Sequence, residues 1–299
     1  MPCALFIGYN RPKLAERTLY RLRNADPLYI FLDGNAPTQS RRAYLELIDS
    51  TIKDRKHART ELLLSDKNLG PMEGPWKAIR WALEKEGEAA IVEEDILIEP
   101  EFLQAYWHGL KTFRENKAIL ALSSSTKTPR IPHGTSPWFH QKLLLVWGWA
   151  TWWDRIQNIE APHTLWKTDR KPILGNLETL LGKLYLGREF DMLARNPNYA
   201  WSYYIQQHLL AHDKFTLGPA AKLTHNLGVG TGSLRTKQGK DGQPDPQKSR
   251  EMIQNLPNPP EPYSRKTERA LEKEKFGSLL HEIRNRLQIK TRIKNLLPP

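Results

Sequence analysis

Short apolar runs alternate with longer stretches of helical periodicity from Ala4 to Asp95. The runs ALFIG, LYIFLDG, TELLLS and AAIVEED are typical of buried strands. The intervening segments KLAERTLYRLRN, TQSRRAYLELIDSTIKDR and PWKAIRWALEKEG have apolar side chains at helical spacing. Regular alternation of strand and helix predicts an α/β fold with a parallel, doubly wound sheet.

The second half of the chain is less regular. PEFLQAYWHGLKTFREN predicts a helix, and AILALSSS predicts a strand followed by a Pro-, Ser- and Thr-rich loop. Several helical stretches are expected between Lys171 and Ala211. FTLGPAAKLTHNLGVGTGSLRTK predicts two short strands and a Gly-rich loop, and the two segments GKDGQPDPQKSR and NLPNPPEPY resemble linkers.

Polar segments follow each of the first four strands: YNRP, LDG, DKNLG and EED. In a doubly wound sheet ligands bind beyond the carboxyl ends of the strands, so these segments should meet on one rim. The three adjacent carboxylates of EED repel one another and are costly to desolvate. Mg²⁺ or Mn²⁺ would neutralise them and also hold a diphosphate. The segment therefore predicts a metal–diphosphate site, and the alternative is a solvated acidic turn.

Two further segments are candidates for ligand binding. HNLGVGTGSLRTK lacks the G-K-[ST] ending of a Walker loop, but its amides, with Arg235 and Lys237, could surround an anion. The alternative is a flexible surface loop. His225 in the same segment is a candidate metal ligand. In VWGWATWWD the indole faces suit sugar rings or bases, although core packing is the usual role of tryptophan.

Charge and composition narrow the class of protein. Lys and Arg number 45 against 33 Asp and Glu, a formal net charge of +12 that favours an anionic partner. A single cysteine, Cys3, precludes an internal disulfide. The N-terminal stretch lacks the basic region of a signal peptide, and the sequence shows no apolar run long enough for a membrane span. A cytoplasmic protein is expected.

Six segments occur in an order that resembles a known family: FIGYNRPKLAERTLYRL, YIFLDG, SDKNLGP, AIVEEDILIEPEFL, WGWATWWDR and THNLGVGTG. Together they resemble the GT-A-type nucleotide-sugar glycosyltransferases, in particular the family-2-like bacterial group described as hemolysin-associated HlpA-like. The resemblance covers residues 4–235. It implies a Rossmann-like, mostly parallel sheet flanked by helices, and transfer of a sugar from a nucleoside diphosphate sugar, preferably a UDP-sugar, to a hydroxyl acceptor.

The resemblance also implies roles for individual residues. Asp95 would be the main metal ligand for Mn²⁺ or Mg²⁺, with His225 as a further ligand, and Arg235 would assist catalysis electrostatically. Trp147, Trp149 and Trp201 would border the acceptor. The residues expected to bind the nucleotide sugar are Tyr9, Asn10, Arg11, Asp33, Asn68, Gly70, Glu93, Glu94 and Lys237.

The chain departs from the family pattern at two positions. Trp201-Ser202-Tyr203 stands where the family often has Trp-Asp-Tyr with a candidate general base. Serine is not a simple base near neutral pH, so Glu189 or Asp191 would have to replace it, or the chemistry differs or activity is lost. His225 stands where a small residue is more common, which would strengthen the metal site. Inversion at the anomeric carbon is favoured.

The chain is predicted to consist of three segments. Residues 1–245 would form the catalytic domain, residues 246–263 a Pro-rich linker, and residues 264–299 a basic amphipathic helical tail. From Ser264 onward the tail carries ten basic and four acidic residues. It would bind an anionic membrane surface and bring the enzyme to a glycan or lipid-linked acceptor, or it would fold against the domain.

Two other functions are the alternatives to glycosyl transfer. A metal-dependent nucleotidyltransferase would use the same sheet and metal. A basic nucleic-acid-binding protein would explain the net charge, but no nucleic-acid-binding motif is present in the sequence and no nucleic-acid partner is expected.

Overall fold

A computed structural model describes residues 3–55, 58–124, 136–159, 163–228 and 244–277, with the backbone alone for residues 163–165. The strands within these residues are β1 (Ala4–Gly8), β2 (Leu28–Leu32), β3 (Thr60–Leu64), β4 (Glu88–Glu93), β5 (Ile96–Ile98), β6 (Ile119–Leu122), β7 (Trp138–Gln141), β8 (Trp149–Trp152), β9 (Phe215–Pro219) and β10 (Thr224–Asn226).

Helices connect most of these strands. They are α1 (Pro12–Leu22), α2 (Thr38–Asp54), α3 (Gly70–Glu86), α4 (Phe102–Thr112), α5 (Trp153–Ile156), α6 (His163–Thr168), α7 (Arg170–Gly175), α8 (Leu180–Arg195), α9 (Trp201–Ala211) and α10 (Pro246–Gln254). Residues 265–277 form one more helix, called the C-terminal helix below. In the described part of the chain, no helix has the length and apolarity required to cross a bilayer.

Eight strands form one sheet in the order β3-β2-β1-β4-β8-β6-β9-β7, and β10 pairs with β5 in a separate two-stranded ribbon. Strands β1 to β4 pair in parallel. Strands β6 and β9 run in the same direction, whereas β7 and β8 are antiparallel to their neighbours. The sheet is therefore mixed but mostly parallel and flanked by helices, which confirms the predicted α/β fold class.

Two apolar layers cover the sheet. One contains buried side chains of α1, α2, α4 and α10, and the other contains those of α3 and α5 to α9. Strands β1 and β2 are buried along their whole length because both faces are covered. Cys3 lies in this core, and burial raises the pKa of its thiol, so the thiolate form is strongly disfavoured.

The structure differs from the sequence-based expectation mainly after residue 135. Strand β7 lies just after the predicted Pro-rich loop and pairs with β9. Helix α10 lies in the segment expected to be a linker; Asp245 caps its first turn, and Met252 is buried in the core. The helix could not be predicted from composition, because most of its residues are polar and lie on the exposed face.

The C-terminal helix packs against the α/β domain through buried acidic side chains. Glu272 is fully buried and accepts hydrogen bonds from the amides of Glu178 and Thr179, each at 2.7 Å. Phe276 stacks on Tyr185 of α8 at 4.8 Å between ring centroids. Of the two alternatives for the tail, residues 265–277 therefore show packing on the domain, and residues 278–299 lie outside the described residues.

Glu268 on the same helix is also buried and accepts a hydrogen bond from the Lys142 amide at 2.9 Å. Burial raises the pKa of Glu268 from its ordinary 4.5 to about 8. The Lys142 amide opposes this shift, and the charges of Glu272 and Glu178 add to it. Glu268 is therefore largely protonated in the folded protein at neutral pH.

A glutamine at position 268 is expected to flatten the pH dependence of stability. Because the folded-state pKa of Glu268 is raised, its contribution is complete below about pH 4.5 and is lost as the pH rises through about 8. Glu268→Gln cannot ionise and should lose less stability over this window. Urea unfolding of both proteins at several pH values between about 5 and 9 measures the difference. Parallel curves for the two proteins would show that Glu268 does not titrate in this way.

Candidate functional site

The reversal of strand order lies between β1 and β4. From β1 the chain proceeds outward to β2 and β3, whereas β4 lies on the other side of β1. Ile7 near the end of β1 pairs with Glu93 at the end of β4. The loop that follows β1 therefore meets the acidic segment Glu93–Asp95 at a topological switch point, where open α/β sheets bind ligands.

Glu94 points inward and is buried. Its Oε2 accepts hydrogen bonds from the amide of Tyr9 at 2.8 Å, from the amide of Arg11 at 3.2 Å and from the hydroxyl of Tyr44. Burial and then the charge of Glu94 raise the pKa of Tyr44, so the phenol stays protonated and donates. The middle carboxylate, expected to contact the nucleotide sugar, is thus directed at the loop after β1.

Asp95 points toward Arg11. The Arg11 Nη1 donates to Asp95 Oδ2 at 2.9 Å, and both side chains are partly exposed. A Cβ on Gly228 would lie 2.2 Å from Asp95 Oδ2 and 3.0 Å from Arg11 Nη1, so Gly228 packs closely against this ion pair. Burial raises the pKa of Asp95, and the charge of Arg11 opposes the shift.

Glu93 completes the acidic segment and is half-buried at the end of β4. Burial raises its pKa to about 8, the charges of Asp95 and Glu94 add to the shift, and Arg11 opposes it. Glu93 is therefore largely protonated at neutral pH in the protein without a metal ion. A divalent cation bound beside it would favour the ionised carboxylate.

The ends of β2 and β3 are joined by hydrogen bonds. Asp33 Oδ1 accepts from the amide of Leu69 at 2.9 Å, which fixes the loop before α3. Asn68 Nδ2 donates to the Tyr9 hydroxyl at 2.9 Å, and Asn68 Oδ1 accepts from the Gly70 amide at 2.7 Å. Gly70 has a φ of 79°, a left-handed conformation that favours glycine. The structure brings these predicted residues together around Tyr9; Asn10 lies in the same loop.

The ribbon of β5 and β10 brings the later part of the chain to the acidic segment. His225 pairs with Leu97, and the Leu227 amide donates to the Asp95 carbonyl at 2.8 Å. Among the described residues, no three His, Cys, Asp or Glu side chains form a group that could hold a metal ion. Arg235 and Lys237 lie outside the described residues.

The carboxylate oxygens at the end of β4 are nevertheless of the kind that binds a divalent cation. Glu93 and Asp95 carry the hard oxygen donors that Mg²⁺ and Mn²⁺ prefer, and Gly228 lies close against Asp95 Oδ2. Mg²⁺ and Mn²⁺ commonly take one or two carboxylates and complete their shell with substrate phosphates and water. Two carboxylates are therefore sufficient protein ligands for a cation that arrives with a diphosphate.

The two candidate bases on α8 have different surroundings. Asp191 pairs with Arg170 at 2.7 Å and accepts from the Trp166 indole at 2.9 Å. Burial alone would raise the pKa of Asp191, but these hydrogen bonds lower it below its ordinary value. Glu189 is buried and accepts from the Tyr199 hydroxyl at 2.7 Å; it also contacts Tyr203.

The tryptophans expected at the acceptor site are mostly in the core. Trp149 and Trp201 are buried and stack on each other at 5.5 Å between centroids. Trp147 is only partly buried, and the Lys275 ammonium of the C-terminal helix lies 5.0 Å from its ring centroid. Of the three, Trp147 alone is exposed enough to contact an acceptor directly.

Tyr44 is the residue at this site that the sequence did not reveal. It lies on the buried side of α2, and its hydroxyl reaches Glu94. Thr18 of α1 contributes as well, because its hydroxyl donates to the carbonyls of Glu94 and Ile96. A tyrosine within a buried helical stripe was the available signal, because a buried phenol needs a hydrogen-bond partner.

No protein-family model and no curated protein matches the chain. Similar solved structures include S. aureus TarS, with 19% identity, 45% of this chain and 38% of that chain covered, and a TM-score of 0.31. The mannosyltransferase PcManGT from Pyrobaculum calidifontis in complex with GDP-Man and Mn²⁺ shows 13% identity, coverage of 70% and 69%, and a TM-score of 0.42.

A UDP-glucose pyrophosphorylase complexed with UDP-glucose shows 10% identity, coverage of 86% of this chain and 97% of that chain, and a TM-score of 0.41. With identities below 20% and TM-scores below 0.5, this likeness carries no argument about the activity of the chain. It does not confirm the bacterial group that the sequence resembles, and it identifies no functional residue of this chain.

Proposed function

We propose that the protein is a metal-dependent glycosyltransferase that moves a sugar from a nucleoside diphosphate sugar, preferably a UDP-sugar, to a hydroxyl acceptor. The observation that carries this proposal is the meeting of Tyr9–Arg11 with Glu93–Asp95 at the switch point between β1 and β4. A cationic side chain beside carboxylates suits a diphosphate bound with a cation.

The chain's own groups have distinct roles in this proposal. Asp95 would hold Mn²⁺ or Mg²⁺ with Glu93 beside it, and His225 is the further candidate ligand. When bound, the cation supplies stabilisation of the negative charge that grows on the leaving diphosphate. Arg11 adds positive charge on the same side, and the hydrogen-bonded pair of Tyr9 and Asn68 borders the nucleotide.

The general base is proposed to be Glu189 rather than Asp191. The lowered pKa of Asp191 and its ion pair with Arg170 make it a weak base. Glu189 contacts Tyr203, the neighbour of Ser202, where the related family has its aspartate. A carboxylate that removes the acceptor proton as oxygen attacks the anomeric carbon gives inversion. Trp147 is the proposed acceptor contact.

The acceptor is proposed to be a glycan or a lipid-linked sugar in the synthesis of a cell-surface polysaccharide or glycolipid. The enzyme would be cytoplasmic and peripheral at the inner face of the membrane. The basic residues after Ser264 motivate this location, since a basic amphipathic helix favours anionic lipid.

Replacing Asp95 by alanine is expected to lower donor turnover by about 10² to 10³, because a main cation ligand is lost. Donor hydrolysis and transfer are measured with Mn²⁺ and with EDTA, using UDP- and GDP-sugars. Asp49→Ala, on the exposed face of α2, is the matched control and should retain activity. Full activity of Asp95→Ala would contradict the metal role.

Nucleotide binding separates glycosyl transfer from nucleotidyl transfer. Thermal shifts with UDP, GDP and nucleoside triphosphates are compared in the presence of Mn²⁺. Stabilisation by a nucleoside diphosphate together with sugar release from the donor supports glycosyl transfer. Release of diphosphate from a triphosphate and a sugar phosphate would instead identify a nucleotidyltransferase.

A further inference from the structure

A cleft of about 390 Å³ lies between the end of α1 and the first two turns of α4. Both of its walls contain polar and apolar side chains, and it is called the α1–α4 cleft below. The lining includes Arg21, Arg23, Asn24, Leu103, Gln104 and Trp107. None of these described lining residues belongs to the groups proposed to bind the donor or to act in catalysis.

Arg21 brings a weakly compensated guanidinium to the α1–α4 cleft. Its side chain is half-buried, and within the described ranges no hydrogen bond or ion pair engages it. The carboxylate whose charge interacts with Arg21 is Glu99, and burial raises the pKa of Glu99, so it is a poorer counter-ion than an exposed carboxylate. The planar fork of N–H donors in a guanidinium suits the oxygens of a phosphate.

Arg23 is held beside the cleft by Tyr20. Its Nη1 donates to the Tyr20 carbonyl at 2.9 Å, and its guanidinium carbon lies 3.9 Å from the centroid of the Tyr20 ring. Tyr20 itself is 62% exposed, which is unusual for so large an aromatic side chain. An exposed ring that carries a cation is typical of a surface that meets the head groups of a bilayer.

Trp107 supplies an aromatic wall on the α4 side. It is partly buried, and the Lys111 Nζ lies 4.3 Å from its ring centroid. The cleft and its border therefore combine three cations with two aromatic rings. A soluble phosphate would use the cations alone, whereas a bilayer with anionic lipid would also cover the rings.

The position of the cleft suits an enzyme that acts at a membrane. Arg11 precedes α1 and Arg21 lies near its end, so the rise of the helix places them about 15 Å apart along its axis. An acceptor sugar linked to a lipid of the same bilayer is therefore within reach of the candidate donor site.

We propose that the α1–α4 cleft binds the phosphate head group of an anionic phospholipid in a bilayer, with Arg21 and Arg23 on the phosphate and with Tyr20 and Trp107 at the level of the head groups. This inference rests on the proposed function and deepens it. The membrane contact is assigned to a folded surface of the α/β domain, in addition to the basic residues after Ser264.

Sedimentation of the full chain with vesicles tests the charge contribution. Vesicles of phosphatidylcholine are compared with vesicles that also contain phosphatidylglycerol. The double variant Arg21→Gln/Arg23→Gln is expected to bind the anionic vesicles about 30-fold less tightly than wild type, because two basic residues are lost from the contact. The matched control Lys77→Gln/Lys85→Gln removes two exposed charges from α3, on the other side of the sheet, and should bind like wild type.

Tryptophan fluorescence tests the orientation. Phosphatidylglycerol vesicles with brominated acyl chains should quench part of the emission of the wild type, because bromine in the bilayer quenches tryptophans at its surface. Trp107→Phe should lose most of this quenching and still sediment with the vesicles. Quenching that is the same in Trp107→Phe and in wild type would show that a different face meets the bilayer.

Equal vesicle binding of wild type and the Arg21→Gln/Arg23→Gln protein would overturn the proposal. Affinity for soluble glycerol phosphate that falls in this variant, with vesicle binding unchanged, would assign a small anion to the cleft and also overturn the bilayer contact. Donor hydrolysis in solution needs no vesicle. Absence of vesicle binding with intact donor hydrolysis would therefore remove this inference alone, whereas absence of hydrolysis would count against the proposed function.

Discussion

Glu94→Ala is expected to lower the free energy of unfolding by about 3 to 5 kcal/mol and to abolish UDP binding. The variant leaves the amides of Tyr9 and Arg11 and the hydroxyl of Tyr44 without their shared acceptor. Such a loss is a large part of the total stability of a typical domain. Urea unfolding monitored by tryptophan fluorescence gives the first quantity, and calorimetric titration with UDP gives the second.

Tyr44→Phe is the matched control because it removes a single donor to Glu94 and keeps the ring. It should cost about 1 kcal/mol and leave UDP binding measurable. Glu94→Asp keeps the charge but shortens the side chain, so it should behave more like the alanine variant than like wild type. A Glu94→Ala protein with wild-type stability would mean that the loop after β1 is held by other contacts.

A chain that ends at Pro262 is expected to be unfolded or aggregated, and not a folded domain that merely lacks the later residues. It lacks Glu268, Glu272 and Phe276, all of which are buried against the domain. Loss of a buried phenylalanine alone typically costs about 3 to 5 kcal/mol. The amides of Lys142, Glu178 and Thr179 would also lose their carboxylate acceptors. Circular dichroism and size-exclusion chromatography of the shortened protein provide the measurement.

A chain that ends at Gly277 keeps every one of these contacts and is the control. Its melting temperature should lie close to that of the full chain. The chain ending at Gly277 is also the one to compare with the full chain in sedimentation with anionic liposomes. Both proteins are expected to be folded, so a difference in binding reports on residues 278–299. If the chain ending at Pro262 folds and melts like the full protein, the C-terminal helix contributes little to the core.

The first four strands and the helices between them could be predicted because the apolar periodicity between Ala4 and Asp95 is strong. The predicted parallel sheet also placed the YNRP and EED segments at the same edge, since the carboxyl ends of parallel strands lie together. The directions of the three carboxylates could not be predicted, because Glu94 and Asp95 lie in a turn where the two-residue alternation of a strand no longer holds.

The C-terminal helix shows a second limit of sequence reasoning. Its many exposed lysines and arginines dominate the composition and suggest a solvated or membrane-bound segment. Glu268 and Glu272 would ordinarily be assigned to the same polar face, yet both are buried. Their burial depends on the amides of Lys142, just after β7, and of Glu178 and Thr179, just before α8. These residues are distant in sequence, so no local pattern indicates the burial. For Trp149 likewise, the local sequence does not distinguish a side chain that faces solvent from one that lies in the core.

The arrangement of the sheet has a consequence for how the protein is made. Strands β1 to β4 are consecutive in the chain and adjacent in space, so this half can assemble while synthesis continues. The other half pairs β6 with β9 and is sealed by residues 265–277, which the ribosome adds much later. The nascent protein therefore exposes the side of α8 that packs on Phe276 until residues 265–277 have been synthesised, and chaperones have most to protect in that interval.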